Sequence, residues 1–383
     1  MSIDRITRVS FPGSLVFGNG VLKQLAEDVV KQGYKAVIIM TIKPLLGQLA
    51  DFVAILERNK IDVSTDTSIE QEPTFSDVKM VLQQLSTVAA DAVIGIGGGS
   101  VLDVAKLVAA QLENAQSLEE IVGNGLLKGR NKGLICVPTT AGTGSEVSPN
   151  AILVDDENQK KGIISPYLVP DKVYVDPLLT IGVPPAITAA TGLDALTHCL
   201  EAYTNKFSQP FVDMYAYEGM RLIAENLKEA VHNGKNEEAR YHVAMGSMLG
   251  GFCLGPVNTA AVHALSYPLG SMFHLAHGLS NALLLPYIME YNYVASPKKY
   301  AEVAVALGCS RLATDEETAR AGIERVRTLI NACGIPARLR DVEIPKEAIP
   351  KMAEDAMKIT RLLVNNPREI TLQDAVSIFN AAY

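Results

Sequence analysis

An aspartate and a histidine lie four residues apart in the stretch GLDALTHCLEAYTN, residues 192–205. This spacing places Asp194 and His198 side by side on one face of a helix. The residues around them are mostly leucine and alanine, so we expect this face to be buried. A buried carboxylate and imidazole need a partner that offsets their lost hydration, and a metal ion is one such partner.

Further histidines follow in the stretch TAAVHALSYPLGSMFHLAHGLSNALLLP, at His263, His274 and His277. Between the first and the last of them, Pro268 and Gly270 are expected to break the helix, so that both imidazoles can turn toward one point. With the aspartate and histidine of the first stretch, this gives one carboxylate and three imidazoles. Such a set suits Fe²⁺ or Zn²⁺ and leaves room for a substrate oxygen. A single histidine is more often a hydrogen-bonded core residue; the paired spacing favours the metal.

A glycine run separates an apolar stretch from a helical pattern in AVIGIGGGSVLDVAK, residues 92–106. Glycines allow close approach of the backbone to a ligand and positive φ angles. The following helix points its free amides and positive dipole end at the turn, which together make an anion site. Ser100 can add a hydroxyl donor, and Asp103 can cap amides or contact a ribose. The run has neither the usual G-x-G-x-x-G spacing nor a Walker motif, so a plain tight turn is the alternative.

A second polar loop, VPTTAGTGSEVSP at residues 137–149, follows another apolar run. Thr139, Thr140 and Thr143 supply hydroxyls at the carboxyl end of this predicted strand. Such groups suit contacts to a dinucleotide along the edge of a parallel sheet. Loops of this composition are common, so the interpretation depends on the glycine run nearby.

The elements that must position these motifs change character along the chain. Short apolar runs alternate with amphipathic helical patterns over about the first 180 residues, which predicts a parallel α/β sheet. After Val183-Pro184-Pro185, helical periodicity dominates. We therefore expect an α/β dinucleotide-binding domain at residues 1–182, an all-α metal-binding domain at residues 183–383, and a cleft between them. The predicted strands cover residues 35–40, 91–99 and 133–140, and the predicted helices between them cover 44–59 and 75–90.

Composition excludes several classes of function. The 383 residues carry a formal net charge of −8 and no cluster of basic residues, which disfavours binding to nucleic acid or to an anionic membrane. Five scattered cysteines without a CxxC pair fit a reducing cytoplasm. The first residues lack the apolar segment of a secretory signal. The uncharged stretch at residues 243–262 is rich in glycine and polar residues, so it predicts a buried core helix and not a membrane span.

The segments GGGSVLDVAK, PTTAGTGSEV, GLDALTHCLEAY and HGLSNALLLP, in this order and spacing, resemble the iron-containing (group III) alcohol dehydrogenases over essentially the whole chain. The resemblance implies hydride transfer between NAD(H) or NADP(H) and a small alcohol or aldehyde, with Fe²⁺ or Zn²⁺, in a homodimer or larger homo-oligomer. The metal ligands it implies are Asp194, His198, His263 and His277. The cofactor contacts it implies are Gly97, Gly98, Gly99 and Ser100 at the pyrophosphate, with Thr139, Thr140, Thr143 and Lys161 lining the rest of the site.

Three positions depart from the family pattern. The third, Glu72 where an asparagine is common, has no consequence that we can assign, and the first two bear on the chemistry. Many members have a second histidine where this chain has Tyr267, close to the reacting centre. A tyrosine can still pass a proton, although its ordinary pKa of about 10 changes the pH profile, and His274 is a second candidate for proton exit. Thr41 ends the first predicted strand where members that prefer NAD carry an acidic residue. With Lys43 nearby, this makes NADP(H) a plausible cofactor beside NAD(H).

Three alternative functions can be compared with the sequence: a non-redox lyase, a reductase of an acidic substrate, and a sensor without enzyme activity. A non-redox lyase of the dehydroquinate-synthase type would need several basic residues for an acidic, phosphorylated substrate, and the motifs here are poor in them. A reductase of a dicarboxylate or semialdehyde would need an arginine near the site, and Arg361 and Arg368 are available. Phe252 and Tyr267, which we expect among the residues that line the substrate pocket, favour instead a small, largely uncharged substrate. A metal or nucleotide sensor without enzyme activity is disfavoured by the lack of a basic face.

Overall fold

The computed structural model describes residues 6–157 and 159–383. Its contacts divide the chain into two units. The sheet unit comprises Ser10–Thr140 and Ser145–Thr180. The helical unit comprises residues 6–9, Ala141–Gly144 and Ile181–Tyr383.

The strands of the sheet unit are short, and most are apolar. They are β1 (Ser14–Phe17), β2 (Ala36–Met40), β3 (Asp62–Asp66), β4 (Ala92–Gly97), β5 (Gly123–Asn124), β6 (Gly133–Pro138), β7 (Asn150–Val154), β8 (Lys160–Ile164) and β9 (Lys172–Val175). Six of them form one parallel sheet in the order β1-β9-β6-β4-β2-β3. β2, β4 and β6 are buried along almost their whole length, as expected of unbroken apolar strands covered on both faces. The predicted parallel α/β architecture is confirmed.

Helices connect the parallel strands, as parallel pairing requires. The first three carry an apolar stripe toward the sheet and polar residues on the opposite side. The fourth helix starts directly after β4 and is buried on nearly every side, because ten of its thirteen residues are enclosed. The helices are α1 (Val21–Gln32), α2 (Leu46–Arg58), α3 (Phe75–Leu85) and α4 (Gly99–Gln111).

A second, smaller sheet has the order β5-β8-β7. β7 and β8 form an antiparallel pair from Asn150 opposite Ile164 to Val154 opposite Lys160. This pair covers most of the two short apolar runs AILVDD and KGIIS, at residues 151–156 and 161–165. α4 packs against β7, so the small sheet is held to the helix that follows the glycine run.

The helical unit contains no strand among its described residues, which confirms the predicted change of architecture. Its core is built around the fifth helix, which packs against the sixth, seventh and ninth. No described helix is long and apolar enough to cross a membrane. The helices are α5 (Pro185–Thr204), α6 (Pro210–His232), α7 (Glu237–Leu254), α8 (Ala261–Phe273), α9 (His277–Asn292), α10 (Pro297–Ala306), α11 (Asp315–Ala332), α12 (Ile349–Met357), α13 (Thr360–Leu363) and α14 (Leu372–Ala382).

The expected helix break at Pro268 and Gly270 is wrong. α8 continues through both residues and ends at Phe273. The chain then turns at His274, which has φ 56° and so lies in the left-handed region. A proline inside a helix removes one backbone hydrogen bond, whereas a left-handed residue ends the helical path. The separation of His263 from His277 therefore arises at His274 and not at the proline.

Candidate active site

Asp194 and His198 lie on the inner face of α5. Both are almost fully buried, with 2% and 5% of their surface exposed. The i and i+4 spacing expected from the sequence brings His198 Nε2 to 3.7 Å from Asp194 Oδ1. This face of α5 therefore carries a polar pair within the core of the helical unit, as predicted.

His263 and His277 reach the same carboxylate oxygen from two other helices. Asp194 Oδ1 is 3.5 Å from His263 Nε2 and 3.6 Å from His277 Nε2. The imidazoles of His198 and His263 stack with their centroids 4.8 Å apart. Helices α5, α8 and α9 thus direct three imidazole nitrogens at one oxygen.

These spacings fit a shared cation better than direct hydrogen bonds. Hydrogen bonds between nitrogen and oxygen are about 2.7–3.2 Å long, so contacts of 3.5–3.7 Å exceed them. Ligand atoms about 2.0–2.2 Å from a tetrahedral Zn²⁺ are separated by about 3.3–3.6 Å. Asp194, His263 and His277 also have ligand atoms that lie within 4.8 Å of one another. The donor set and its spacing therefore suit a divalent transition-metal ion.

A glycine permits the close approach of α9 to α5. A Cβ atom on Gly278 would lie 2.2 Å from the Ala190 carbonyl oxygen and 3.3 Å from the Asp194 Cβ. Any larger residue would push the start of α9 away from α5. Gly278 follows His277 directly, so its small size sets the distance between His277 and Asp194.

Glu201 orients His263 from the opposite side of the ring. Its carboxylate accepts hydrogen bonds from the backbone amides of Ala260 and Val262, at 2.9 and 2.6 Å, and from His263 Nδ1 at 2.7 Å. With Nδ1 bound to the carboxylate, Nε2 points toward Asp194. Such carboxylate–histidine contacts orient metal-binding imidazoles in many proteins. Tyr203, two residues further along α5, lies under Lys299, whose ammonium is 4.8 Å from the ring centroid.

The cluster attracts positive charge. Burial opposes ionisation of Asp194, but His198 and His277 outweigh it and hold the pKa of this carboxyl far below its usual range. Burial lowers the pKa of His198, with Asp194 opposing the shift. For His263 burial again opposes the charged form, but Glu201 and Asp194 prevail and raise its pKa to about 10. The carboxylates therefore favour a cation at the point where the imidazoles meet.

One residue of the cluster was missed from the sequence. Asn281, on α9 and fully buried, places its Nδ2 2.7 Å from Asp194 Oδ1. The same nitrogen is 3.1 Å from His263 Nε2 and 3.3 Å from His277 Nε2. A proton on His263 Nε2 would thus face another donor. The sequence signal was available, because Asn281 lies four residues after His277, on the same face of the helix.

Of the two residues predicted to transfer protons, Tyr267 lies next to the cluster and His274 is exposed to solvent. The Tyr267 ring lies 6.2 Å from the His277 ring, next to the cluster. Its hydroxyl accepts a hydrogen bond of 3.0 Å from Arg361 Nη2. His274 is exposed, and its side chain has no hydrogen bond, ion pair or ring contact within the described part of the chain. Phe252 is half-buried on α7 and packs against Tyr215, at 5.6 Å between centroids.

The glycine run forms the junction of β4 and α4 in the sheet unit. Gly97 ends the strand, Gly98 precedes the helix, and Gly99 begins it. None of the three has positive φ, so that part of the expectation is wrong. Small size is what the site requires, because a Cβ on Gly97 would lie 2.6 Å from the Val101 side chain. The first turn of α4 has neither a side-chain cap nor an acidic residue, and Ser100 is half-buried there.

Two of the predicted threonines, Thr139 and Thr140, lie next to this junction. The Thr139 amide donates to the Gly97 carbonyl at 2.9 Å, and Thr140 Oγ1 would be 3.4 Å from a Cβ on Gly98. Thr143 belongs to the helical unit with Ala141–Gly144. A Cβ on Gly144 would lie 2.4 Å from the Gly251 Cα, so this segment packs closely on α7. The loop thus contributes to both units.

Three predicted cofactor residues are buried or paired within the sheet unit. Asp103 accepts hydrogen bonds from the Ser145 hydroxyl and, at 3.0 Å, from the Ile152 amide. It therefore bonds to a backbone amide, which was one of the two roles expected, and both of its carboxylate oxygens have partners within the fold. Thr41 is 1% exposed, and its hydroxyl is buried without a hydrogen-bond partner in the described chain. Lys161, on β8, pairs at 3.0 Å with Asp155, which directly follows β7.

The chain is similar to known proteins along its whole length. Residues 12–177 match the family described as iron-containing alcohol dehydrogenase, and residues 188–383 match the C-terminal part of the Fe-containing alcohol dehydrogenase family. Long-chain-alcohol dehydrogenase 1 of Geobacillus thermodenitrificans is 36% identical over 99% of this chain and 97% of its own.

Two solved structures show the same fold. A crystal structure of 1,3-propanediol oxidoreductase is 33% identical, with a TM-score of 0.95 over 99% of this chain and 100% of its own. The structure of sulfoacetaldehyde reductase from Bifidobacterium kashiwanohense in complex with NAD⁺ is 27% identical, with a TM-score of 0.88 over 99% of both chains. The match to these three proteins therefore extends over both units.

Proposed function

Because the chain belongs to the iron-containing alcohol dehydrogenase family, we propose that it interconverts a short alcohol and its carbonyl compound, using a cation held by Asp194, His198, His263 and His277. One observation carries the proposal: three imidazole nitrogens lie 3.5–3.7 Å from a single buried carboxylate oxygen. When bound, a divalent cation polarises a substrate oxygen, and a nicotinamide supplies or accepts the hydride. The non-redox lyase is not favoured, since the relatives are dehydrogenases and reductases.

The residues of the chain hold, orient and exchange protons in this proposal. Glu201 fixes the His263 ring, and Gly278 lets His277 approach Asp194. Tyr267, next to His277, offers a phenolic oxygen that can exchange a proton near the reacting centre. The uncapped first turn of α4, after Gly97–Gly99, offers backbone amides to the pyrophosphate of the nucleotide.

For the nucleotide, we propose that NAD(H) is used better than NADP(H), which reverses the expectation from Thr41 and Lys43. β2 and β3 are parallel neighbours, so Lys43 and Glu70 follow their carboxyl ends on the same edge of the sheet. Lys43 Nζ is 2.6 Å from Glu70 Oε1, and Glu70 would repel a 2′-phosphate. Replacing Glu70 with glutamine should raise kcat/KM for NADPH by about twofold to fivefold and leave that for NADH nearly unchanged. A wild-type preference for NADPH would contradict the assignment.

The substrate class is open between two possibilities, because the names of the three relatives span long-chain alcohols, 1,3-propanediol and sulfoacetaldehyde. The apolar core around the cluster supports a small uncharged alcohol or aldehyde as the first possibility. Arg361 supports an aldehyde with an anionic group as the second. Its guanidinium bonds to Tyr267 and has no carboxylate partner among the described residues.

Arg361 is held in place by the structure that also holds the metal cluster. It lies on α13, which packs on α8, the helix that carries His263 and Tyr267. Just after α13, Asn365 Nδ2 donates to the Thr259 carbonyl at 2.8 Å, immediately before the start of α8. An anionic group of a short substrate could therefore bind beside Tyr267 while the carbonyl group faces His277.

Two three-carbon aldehydes, propanal and 3-oxopropanoate, distinguish the two substrate classes. If Arg361 binds the carboxylate, Arg361→Leu should lower kcat/KM for 3-oxopropanoate by about tenfold to a hundredfold, mostly through KM, because such charge-assisted bonds contribute about 1.5–3 kcal/mol. Reduction of propanal should change little. Arg340→Leu, which removes another exposed arginine, is the control for net charge. Equal losses for both aldehydes would restrict the substrate to the uncharged class.

The metal, the compartment and the assembly are proposals of the same kind. Three nitrogens and one oxygen suit both Fe²⁺ and Zn²⁺, and we propose Fe²⁺ from the family. Removal of metal by a chelator should abolish turnover, and anaerobic Fe²⁺ should restore more activity than Zn²⁺. The five free cysteines support a reducing cytoplasm. We expect no nucleic-acid partner. We also expect a homodimer or larger homo-oligomer, and light scattering after gel filtration can measure the number of subunits.

A further inference from the structure

We propose that Asn281 is a positioning residue of the metal cluster: its buried amide donates to Asp194 and keeps the acceptor atoms of Asp194, His263 and His277 directed at one point. The inference rests on the proposed function, because it concerns the same cation site. Asn281 belongs to none of the metal, cofactor or proton-handling sets derived above. Its role would be to set the affinity of the site for the cation without binding the cation itself.

The position of the amide nitrogen is the first observation. Asn281 Nδ2 is 2.7 Å from Asp194 Oδ1, a short distance typical of donation to a carboxylate. The same nitrogen is 3.1 Å from His263 Nε2 and 3.3 Å from His277 Nε2. One amide donor is therefore adjacent to three of the four atoms that we assign as ligands.

The chemistry of the amide gives this position its consequence. An amide nitrogen carries two hydrogens and no lone pair that can accept a hydrogen bond. The groups that it faces must act as acceptors, as an ionised carboxylate does and as the Nε2 of an imidazole does once its proton has left. His263 already uses Nδ1 for Glu201, so its Nε2 is the nitrogen left for a cation. Asn281 and Glu201 thus favour the same orientation of the ring from opposite sides.

The other end of the amide is the second, independent observation. Asn281 Oδ1 is buried and has no hydrogen-bond partner among the residues that the structure describes. Leaving a buried polar atom unpaired costs about 1–3 kcal/mol, so such atoms are rare in folded proteins. A residue selected only for packing at this fully buried position would be apolar. The hydrogen bond from its nitrogen to Asp194 therefore explains why an amide occupies this position.

A second buried asparagine on the same helix provides a matched control. Asn292 Nδ2 donates to Asn366 Oδ1 at 2.8 Å, and Asn366 Nδ2 donates back to Asn292 Oδ1 at 2.7 Å. Both ends of this amide are satisfied, and neither contacts the cluster. Replacing Asn292 therefore tests the loss of a buried amide from α9 without a change at Asp194.

The test measures cation affinity directly. Metal-free wild type, Asn281→Leu, Asn281→Ser and Asn292→Leu are titrated with Co²⁺ in competition with a chromophoric chelator. We expect Asn281→Leu to bind Co²⁺ about tenfold to a hundredfold more weakly, the usual effect of losing a group that orients a metal ligand. Leucine is close to asparagine in volume, so it leaves little cavity. Asn281→Ser keeps one donor and should recover part of the loss.

The controls separate this inference from the proposed function. Asn292→Leu should bind Co²⁺ within about threefold of wild type even if its metal-free form melts at a lower temperature, because its hydrogen bonds lie elsewhere. Wild-type affinity in Asn281→Leu, or an equal loss of affinity in Asn292→Leu, would overturn the role of Asn281. Failure of the wild type to bind any divalent metal would overturn the proposed cation site itself. Cooperative thermal unfolding of each metal-free variant confirms that the affinities refer to folded protein.

Discussion

Two buried polar clusters, one in each unit, differ in whether the chain satisfies them. In the sheet unit, Lys106 is fully buried and its ammonium donates to Ser145 Oγ, the Ser148 carbonyl and the Asn150 carbonyl at 2.8–3.0 Å. Asp103 lies 4.0 Å from that ammonium and bonds to Ser145 and Ile152. In the helical unit, Asp194 Oδ1 accepts one hydrogen bond from Asn281, but the three imidazole nitrogens that face it lie beyond hydrogen-bond distance.

The difference teaches how a buried polar cluster indicates structure or function. All three hydrogens of the Lys106 ammonium have acceptors, so that cluster needs nothing from outside the chain. The imidazoles around Asp194 share one acceptor and gain full coordination only from a cation. Both clusters contain buried charged groups, but only the Lys106 cluster satisfies the hydrogen bonds of its charged group within the chain. We therefore expect the first cluster to control stability and the second to control metal binding and turnover.

The largest effect should come from removing a ligand of the incomplete cluster. His277→Ala leaves two imidazoles and one carboxylate, so we expect loss of bound metal and a fall in kcat/KM of at least about a thousandfold, because the cation supplies several kcal/mol of barrier lowering. The thermal midpoint of the metal-free variant should stay near that of metal-free wild type. Metal analysis and steady-state kinetics measure the two quantities. Full activity in a metal-free His277→Ala preparation would remove the distinction between the clusters.

The Lys106 cluster should respond in the opposite way, with a loss of stability and no loss of metal. Lys106→Met leaves Asp103 buried without its cation, which should lower the free energy of unfolding by about 3–5 kcal/mol. Metal content per folded molecule should not change. Urea unfolding and metal analysis test both statements, with Lys351→Met, an exposed and ion-paired lysine, as the control. A loss of metal without a loss of stability would mean that Lys106 belongs to the functional site.

A pH dependence of stability should come from Glu146, a buried carboxyl that follows Ser145 in the chain and is attracted by Lys106. Burial raises the pKa of Glu146 to about 7, from an ordinary value of 4.5, against the attraction of Lys106. A raised folded-state pKa gives stability that is present below about pH 4.5 and is lost as pH rises through about 7. Glu146→Gln should therefore gain up to about 3 kcal/mol over wild type between pH 5 and pH 8. A constant difference between these pH values would show that the carboxyl is ionised throughout.

The smallest of these effects should come from the group that orients His263. Glu201→Gln places an amide where three donors converge, so the hold on the imidazole weakens. We expect metal affinity to fall by about tenfold to a hundredfold. Glu225→Gln, on the exposed side of α6, is the control. If Glu201→Gln retained wild-type affinity, orientation of the ring by a carboxylate would be unnecessary for the site.

Much of the scaffold followed from local pattern. The apolar runs that became β2, β4 and β6 are continuous because both faces of the sheet are covered, and this made them visible in the sequence. β3 has the sequence DVSTD and lies at an edge of the sheet, so its polar residues hid it. The helix end at His274 depends on one left-handed residue, which periodicity cannot locate.

The site was predictable where spacing decided it and unpredictable where packing did. Asp194 and His198 are separated by one helical turn, so their proximity was readable from the chain. The roles of Thr41 and Asp103 depended on burial and on distant partners, Ser145 and Ile152 for the latter, which no local pattern shows. Asn281 was missed although its spacing from His277 was visible, because the contacts that make it part of the cluster come from two other helices, α5 and α8. The prediction that the four ligands hold a cation stays a prediction.

An anomalous-scattering experiment tests that prediction most directly. Crystals of the enzyme, purified with its metal, would be measured on both sides of the absorption edge of the ion found by elemental analysis. We predict one strong anomalous peak, about 2.0–2.2 Å from Asp194 Oδ1 and from the Nε2 atoms of His198, His263 and His277. An active enzyme with no peak at this point, or with its only peak elsewhere, would contradict the account.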